Sequence, residues 1–314
     1  MEYPPIFSKT RLSSLNTNAL LFSICVLVWG STWIAINFQI KEAALMVSVG
    51  VRFAIAAAII GVWCIVKKRS FHLSLEQHKL VAMAGAFLYA LDYSFLYAAQ
   101  QHIVSALLAV LSSSVIYFNV ILRRIVLKKP VRSEVVLGAS IGLLGIFLIF
   151  APELQVMSTS QGLAAGLILA FGSFLSAGIG NVISEKVLDK HISVLQMNFW
   201  AMLYGVCLTF VIVFVTDTPL TLPSTSSYYY ALLYLAVFGS VIAFGAYMQL
   251  VKQMGSDKAA YVVLVYPIVA LAISTVFENY VWTISSMLGV IAVLIGNAIA
   301  MGKLTLPTTK ANSA

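Results

Sequence analysis

Two ionisable side chains, Arg52 and Asp92, stand inside otherwise apolar runs of this 314-residue sequence. A charge in hydrocarbon is costly unless a partner or water meets it, so each marks either an ion pair or a place where a solute is handled. If the runs that contain them cross a bilayer, Arg52 lies roughly 9 Å and Asp92 roughly 12 Å from the same outer surface, at about 1.5 Å of rise per residue. Those depths suit an ion pair that locks two neighbouring helices. They equally suit a carboxylate that binds an amine or carries a coupling proton, and an arginine that serves the scaffold or reaches the outer headgroups.

Other polar groups gather near Asp92. Tyr89, Tyr93, Tyr97 and Gln100 recur at spacings of four, four and three, which makes one stripe of an α-helix with Asp92 at its edge. Tyrosine offers a flat apolar face plus a hydroxyl, which suits an amphipathic ligand. The same stripe would also serve helix packing, with Tyr97 and Gln100 in an outer aromatic belt. Ser105, Ser112 and Asn119 recur every seven residues, a pattern that more often glues helices than binds substrate. Trp33 and Asn37 share a helix face, and Pro267 either frees backbone carbonyls towards a cavity or simply kinks its helix.

The elements that must position these groups are membrane helices. Only 10% of the residues are charged and 61% are hydrophobic, too little charge to cover a globule of this size in water. Apolar runs long enough to span fall near 18–38, 46–66, 80–100, 103–122, 135–151, 162–183, 194–215, 229–250, 259–277 and 284–302. With the N-terminus in the cytoplasm, all of the 19 Lys and Arg except Lys41 and Arg52 fall in inner segments. That asymmetry follows the positive-inside rule and predicts ten spans with both ends inside. The first 17 residues are polar and the run after them is long enough to span, so no cleavable signal peptide is read.

The chain also repeats. Leu137-Gly138 with Leu143 and Gly145 recurs 151 residues later as Leu288-Gly289 with Leu294 and Gly296. A weaker match joins Ser105-Ala106 and Val110-Leu111 to Lys258-Ala259 and Val263-Leu264. Five helices per half is an odd number, so the second copy, 162–302, must be inverted relative to the first, 18–151, a layout found in secondary transporters. The flanking segments are a cytoplasmic N-terminal stretch, 1–17, and a cytoplasmic tail, 303–314. The pairs Gly138/Gly142 and Gly162/Gly166 permit close helix approach, either inside one chain or in a homodimer.

Several function classes fit poorly. The net charge of +8 is spread over short basic clusters, so nucleic acid is not an expected partner. Cys25, Cys64 and Cys207 sit in apolar runs without metal-ligand spacing, and His72, His78, His102 and His191 lie in loops or at helix ends. A membrane enzyme would need a nucleophile, base or metal in the bilayer, and no phosphate-binding GxxxxGK[ST] loop is present. No cofactor is expected. A channel would need a continuous polar path, which these sparse stripes do not supply.

Specific motifs narrow the reading further. Trp29-Gly30-Ser31-Thr32-Trp33 resembles the WGS[TS] signature of the drug/metabolite transporter superfamily, EamA-type branch, and Gly50-Val51-Arg52-Phe53 resembles its GxRF motif. Phe238-Gly239-Ser240-Val241-Ile242-Ala243 with Tyr247, and Tyr266-Pro267 with Glu278, are similar to segments of its helices eight and nine. The resemblance covers nearly the whole chain in order. It implies an all-α integral membrane protein of ten helices, built as two inverted five-helix repeats around a central cavity in the cell (bacterial inner) membrane. It implies a carrier of a small metabolite, mostly by export, and raises Trp33, Tyr89, Asp92, Asn119, Asn181, Tyr247, Tyr261 and Tyr266 as lining residues. Relatives often carry a proline and then an acid in helix four. Here Ser114 stands opposite the proline and Arg123, Arg124, Lys128 and Lys129 stand near the acid. The tyrosine-rich set points to an amino acid or amphipathic amino-acid-like solute, with a multidrug or nucleotide-derivative carrier of the same fold as the alternative.

Overall fold

In the computed structural model the described residues are 9–40, 42–103, 108–109, 111–157, 162–190, 192–221, 223–277, 281–300 and 304, and they contain helices and no strands. The first three helices are α1 (Lys9–Ile40), α2 (Leu45–Val66) and α3 (Leu75–Gln100). A 3₁₀ turn, Ser112–Ser114, leads into α4 (Val115–Val126), followed by α5 (Ser133–Met157), α6 (Leu163–Leu188) and α7 (Val194–Val215). The last three are α8 (Ser226–Met254), α9 (Ser256–Phe277) and α10 (Ile284–Ala300).

Among the described residues, seven helices are long and apolar enough to cross a membrane: α1 from Thr17, α2, α3, α6, α7, α8 and α9. Shorter apolar stretches, Ser133–Ile149 and Ile284–Ala300, run through α5 and α10. The expected fourth span, 103–122, includes residues 104–107 and 110, which lie outside the described set, as do Lys41 and Glu278. With every intrahelical backbone group bonded within its own segment, such helices satisfy the one strict demand of the hydrocarbon phase. The helix starts that leave it are capped from the sequence. Ser74 with Gln77 and Ser193 with Gln196 form reciprocal capping boxes at α3 and α7.

Close packing depends on small residues. At Gly138 an added Cβ would meet Gly296 and Ala300, and at Gly145 it would meet Gly289 and Val293. The first glycine of one copied motif therefore faces the second glycine of the other, and α5 lies antiparallel against α10. Gly142 faces Leu264 and Gly166 faces His102 and Ile103, so both glycine pairs are consumed inside one chain.

Helix α9 breaks at a turn, Ala260–Tyr261, between Ser256–Ala259 and Val262–Phe277, and two further helices carry π turns. Ala86–Leu91 of α3 and Leu235–Ile242 of α8 are π-helical turns, which commonly accompany functional sites. Their C-terminal ends are separated by the same 151 residues as the glycine motif. Helix α9 runs through Pro267, whereas the serines preceding α4 wind into a 3₁₀ turn at the matching place. The absence of a proline there therefore does not leave a plain α-helix. Pro267 cannot bond the carbonyl four residues earlier, Val263, and Ser113 Oγ donates to that oxygen at 2.8 Å.

Candidate functional site

Helices α1, α3, α6, α8 and α9, with the Ser112 turn, enclose a cavity of about 100 Å³ to which α2 contributes Arg52. One buried water needs about 10–15 Å³ in that measure, so the space suits a small solute. Its walls are largely aromatic. Trp29 lies 5.0 Å from Tyr247 and 5.1 Å from Phe244, and Trp33 lies 6.1 Å from Tyr266, all between ring centroids. These tilted and edge-on contacts are the geometries that ring quadrupoles favour, and they leave rigid walls with few rotamers to lose on binding.

Two charges face this space. Asp92 begins the α-helical turn immediately after the π segment of α3, and its Oδ1 accepts from Ser173 Oγ of α6 at 2.5 Å. Arg52 is 1% exposed, and its Nε donates to Ser240 Oγ at 3.0 Å while one Nη donates to Tyr97 Oη at 3.3 Å. Its guanidinium carbon sits 4.7 Å over the Tyr93 ring, a cation–π contact in a desolvated place. Ser240 is itself held by the π turn of α8, where its hydroxyl donates to Leu235 O at 3.0 Å, and Tyr97 donates on to Gln39 at 3.0 Å. Among the described ion pairs none joins Arg52 to Asp92, so the lock expected from their depths is replaced by hydroxyl partners. A guanidinium has five N–H donors, so those two bonds leave further donors on a cation that lines the cavity.

The sequence-derived residues separate into two groups. Trp33, Asp92, Asn181, Tyr247 and Tyr266 line the cavity, with Arg52, and Pro267 adjoins it directly after Tyr266. Tyr266 shares a hydrogen bond with Ser112, placed by the 3₁₀ turn. Tyr89, Asn119 and Tyr261 do not line it. Tyr89 donates to Asn198 of α7 at 3.2 Å, and Tyr261 donates to Val135 O of α5 at 3.1 Å. Asn119 accepts from Asn181 at 3.4 Å and donates to Ser256 O at 3.0 Å, one layer beneath the cavity. The tyrosine stripe stays on one connected face, with Phe53 touching both Tyr89 and Tyr93 and Tyr93 touching Tyr97. Tyr89 bonds towards α7, whereas Tyr93 lines the cavity and meets Arg52 together with Tyr97.

Ser173, Phe244 and Thr32 also line the space and were not singled out. Ser173 had only a weak signal, a lone hydroxyl within an apolar helix. Thr32 and Trp29 were legible only as members of a motif. Trp29 anchors α1 to α8 by donating its indole N–H to Gly239 O at 3.2 Å, a carbonyl inside the second π turn.

Known proteins are similar to this chain. The model of the EamA-like transporter family matches residues 16–151 and again 164–302. The uncharacterized transporter YoaV of Bacillus subtilis (strain 168) is 24% identical over 86% of this chain and 91% of its own length. The uncharacterized inner membrane transporter YedA of Escherichia coli (strain K12) is 27% identical over 81% of this chain and 80% of its own. A protein crystal structure superposes with a TM-score of 0.75 at 14% identity, over 92% of this chain and 98% of the other, which is a likeness of fold.

Proposed function

Because the chain belongs to the EamA-like transporter family, a multi-pass membrane protein of a transporter rather than an enzyme family, we propose that it is a secondary-active carrier that exports a zwitterionic, amphipathic amino-acid-like solute by alternating access. The carrying observation is the cavity itself. It presents a carboxylate at Asp92 and a guanidinium at Arg52, bonded to neutral groups rather than to each other, between aromatic walls. A buried charge favours a ligand that supplies its counter-charge, and a zwitterion supplies both. In this reading Asp92 takes the amine and Arg52 the carboxylate. Trp33, Tyr247 and Tyr266 cover the apolar side chain, and Asn181 lies at the floor.

We read the architecture as ten spans in two inverted halves, 18–151 and 162–302, with both termini in the cytoplasm. Three observations support it: the family model matches twice, the π turns recur at the motif's offset, and the copied glycines face each other antiparallel. Helices related by an axis in the membrane plane meet in that way. The limited cavity volume favours a small metabolite over a bulky drug or nucleotide derivative.

Flux of radiolabelled amino acids into proteoliposomes, with and without a proton gradient, tests the reading. Saturable flux of zwitterions is expected. Asp92→Asn should raise KM for amine-bearing substrates about 10–100-fold, the loss of a charged hydrogen bond of about 1.5–3 kcal/mol, and spare solutes without an amine. No saturable flux for any amino acid or analogue would overturn it, and a Asp92→Asn variant with unaltered KM would remove the aspartate from the site.

A further inference from the structure

Beneath the cavity the chain builds a second charged cluster. Arg123 near the end of α4 donates through Nε to both carboxylate oxygens of Glu185 on α6, each at 3.0 Å. Its Nη1 lies 2.9 Å from Asp257 Oδ2 at the start of α9. Glu185 Oε2 also accepts the backbone N–H of Ser256 at 2.8 Å and its hydroxyl at 2.7 Å. Arg123, Glu185 and Asp257 are all buried, and Lys129 reaches Glu185 from the half-exposed rim at 2.9 Å. The turn that brings α9 here is Gly255, at φ +90, where a Cβ would press on the Arg123 guanidinium.

The cluster is joined to the cavity by continuous bonds. Asn181 on the cavity wall donates to Asn119, Asn119 donates to the Ser256 carbonyl, and Ser256 donates to Glu185. Three helix ends are thus drawn together directly below the solute space, on the side that the Lys and Arg distribution assigns to the cytoplasm. Asp257 Oδ1, although buried, has no hydrogen-bond partner.

We propose that Arg123, Glu185 and Asp257, with Ser256 and Asn119, form the cytoplasmic latch of the carrier. The latch closes the inner end of the cavity in this conformation, and inward opening separates α4 and α6 from the start of α9 by breaking the Arg123–Asp257 pair and the Ser256–Glu185 bonds. Asn181 reports occupancy to the latch, because a solute bonded to its amide competes with Asn119. The proposal rests on the alternating-access reading above.

The test measures from which side the cavity is reached. Ala177→Cys places a thiol on the cavity wall, with Cys207→Ser removing the exposed native cysteine and Cys25 and Cys64 left buried. A membrane-impermeant maleimide is applied to right-side-out and to inverted vesicles. With the latch intact, labelling is expected mainly from outside. Asp257→Asn should raise the rate from the cytoplasmic side at least several-fold, and the milder Ser256→Ala should raise it less. Ser256→Ala also carries the measurement should Asp257→Asn not fold, as judged by size-exclusion profile. Unchanged side preference in a folded variant would overturn the latch, as would predominant cytoplasmic labelling of the parent. Flux distinguishes the two readings. Saturable flux with unchanged side preference overturns the latch alone, whereas absent flux in the parent overturns the carrier.

Discussion

Two buried arginines on opposite sides of Asn181 are treated differently. Arg123 is met by two carboxylates at 3.0 and 2.9 Å, so its charge is neutralised within the protein. Arg52, no less buried, is met by the hydroxyls of Ser240 and Tyr97 and by the Tyr93 ring. Hydroxyls and rings orient a guanidinium without cancelling its charge, which leaves Arg52 attractive to an anion from outside the chain. In the proposed reading the fully paired cation holds helix ends together, and the oriented but unneutralised one receives the solute. The carboxylates divide in the same manner, Glu185 between Arg123 and Lys129, Asp92 on a serine hydroxyl.

The comparison can be broken by substitution. Arg123→Ala strips Asp257 of its counter-charge and leaves Glu185 with only Lys129, and it should cost about 3–5 kcal/mol, read as a large fall in Tm in detergent or as lost expression. Arg52→Gln should cost less, about 1–3 kcal/mol, because it leaves only hydroxyls that can bond the new amide, while transport of carboxylate-bearing solutes collapses. An equal fall in Tm for both variants would show that Arg52 is structural and end the contrast.

Finer substitutions sharpen it. Ser113→Ala leaves the Val263 carbonyl beside Pro267 unmet and should lower stability by about 1 kcal/mol. If Tm is unchanged, the serine turn is not what compensates for the proline. Lys129 should matter least. Its hydrogen bond to Glu185 raises its pKa, so its stabilisation is present below the ordinary lysine value near 10.4 and fades as pH rises through the raised value. It is more than a third exposed, so Lys129→Gln should cost under about 1 kcal/mol, and that cost should shrink as pH rises through the raised lysine pKa. A pH-independent cost would mean that the lysine acts through packing.

Some of the site was legible because hydrocarbon makes polarity conspicuous. Arg52 and Asp92 stood out as charges in apolar runs, and both line the cavity. Arg123 was grouped with the basic residues that fix orientation, yet it is 8% exposed and paired. Glu185 and Asp257 carry no sequence signal of their own, since each lies at a helix end where an acid is ordinary. Their partners come from segments 56 and more residues away in the chain. The tyrosine spacing gives no sign of the π turn at Ala86–Leu91, in which Tyr89 lies.

The sequence by itself determined the class of molecule, because hydropathy and the cost of unbonded backbone in lipid act on each segment locally. It also determined the positions of the long apolar helices, the copied glycine motif and which charges are anomalous. Only the tertiary structure decided which charge is paired within the chain and which meets neutral groups at the cavity. That outcome depends on helices distant in sequence meeting at particular depths, and on π and 3₁₀ turns that rotate side chains without any signature in composition.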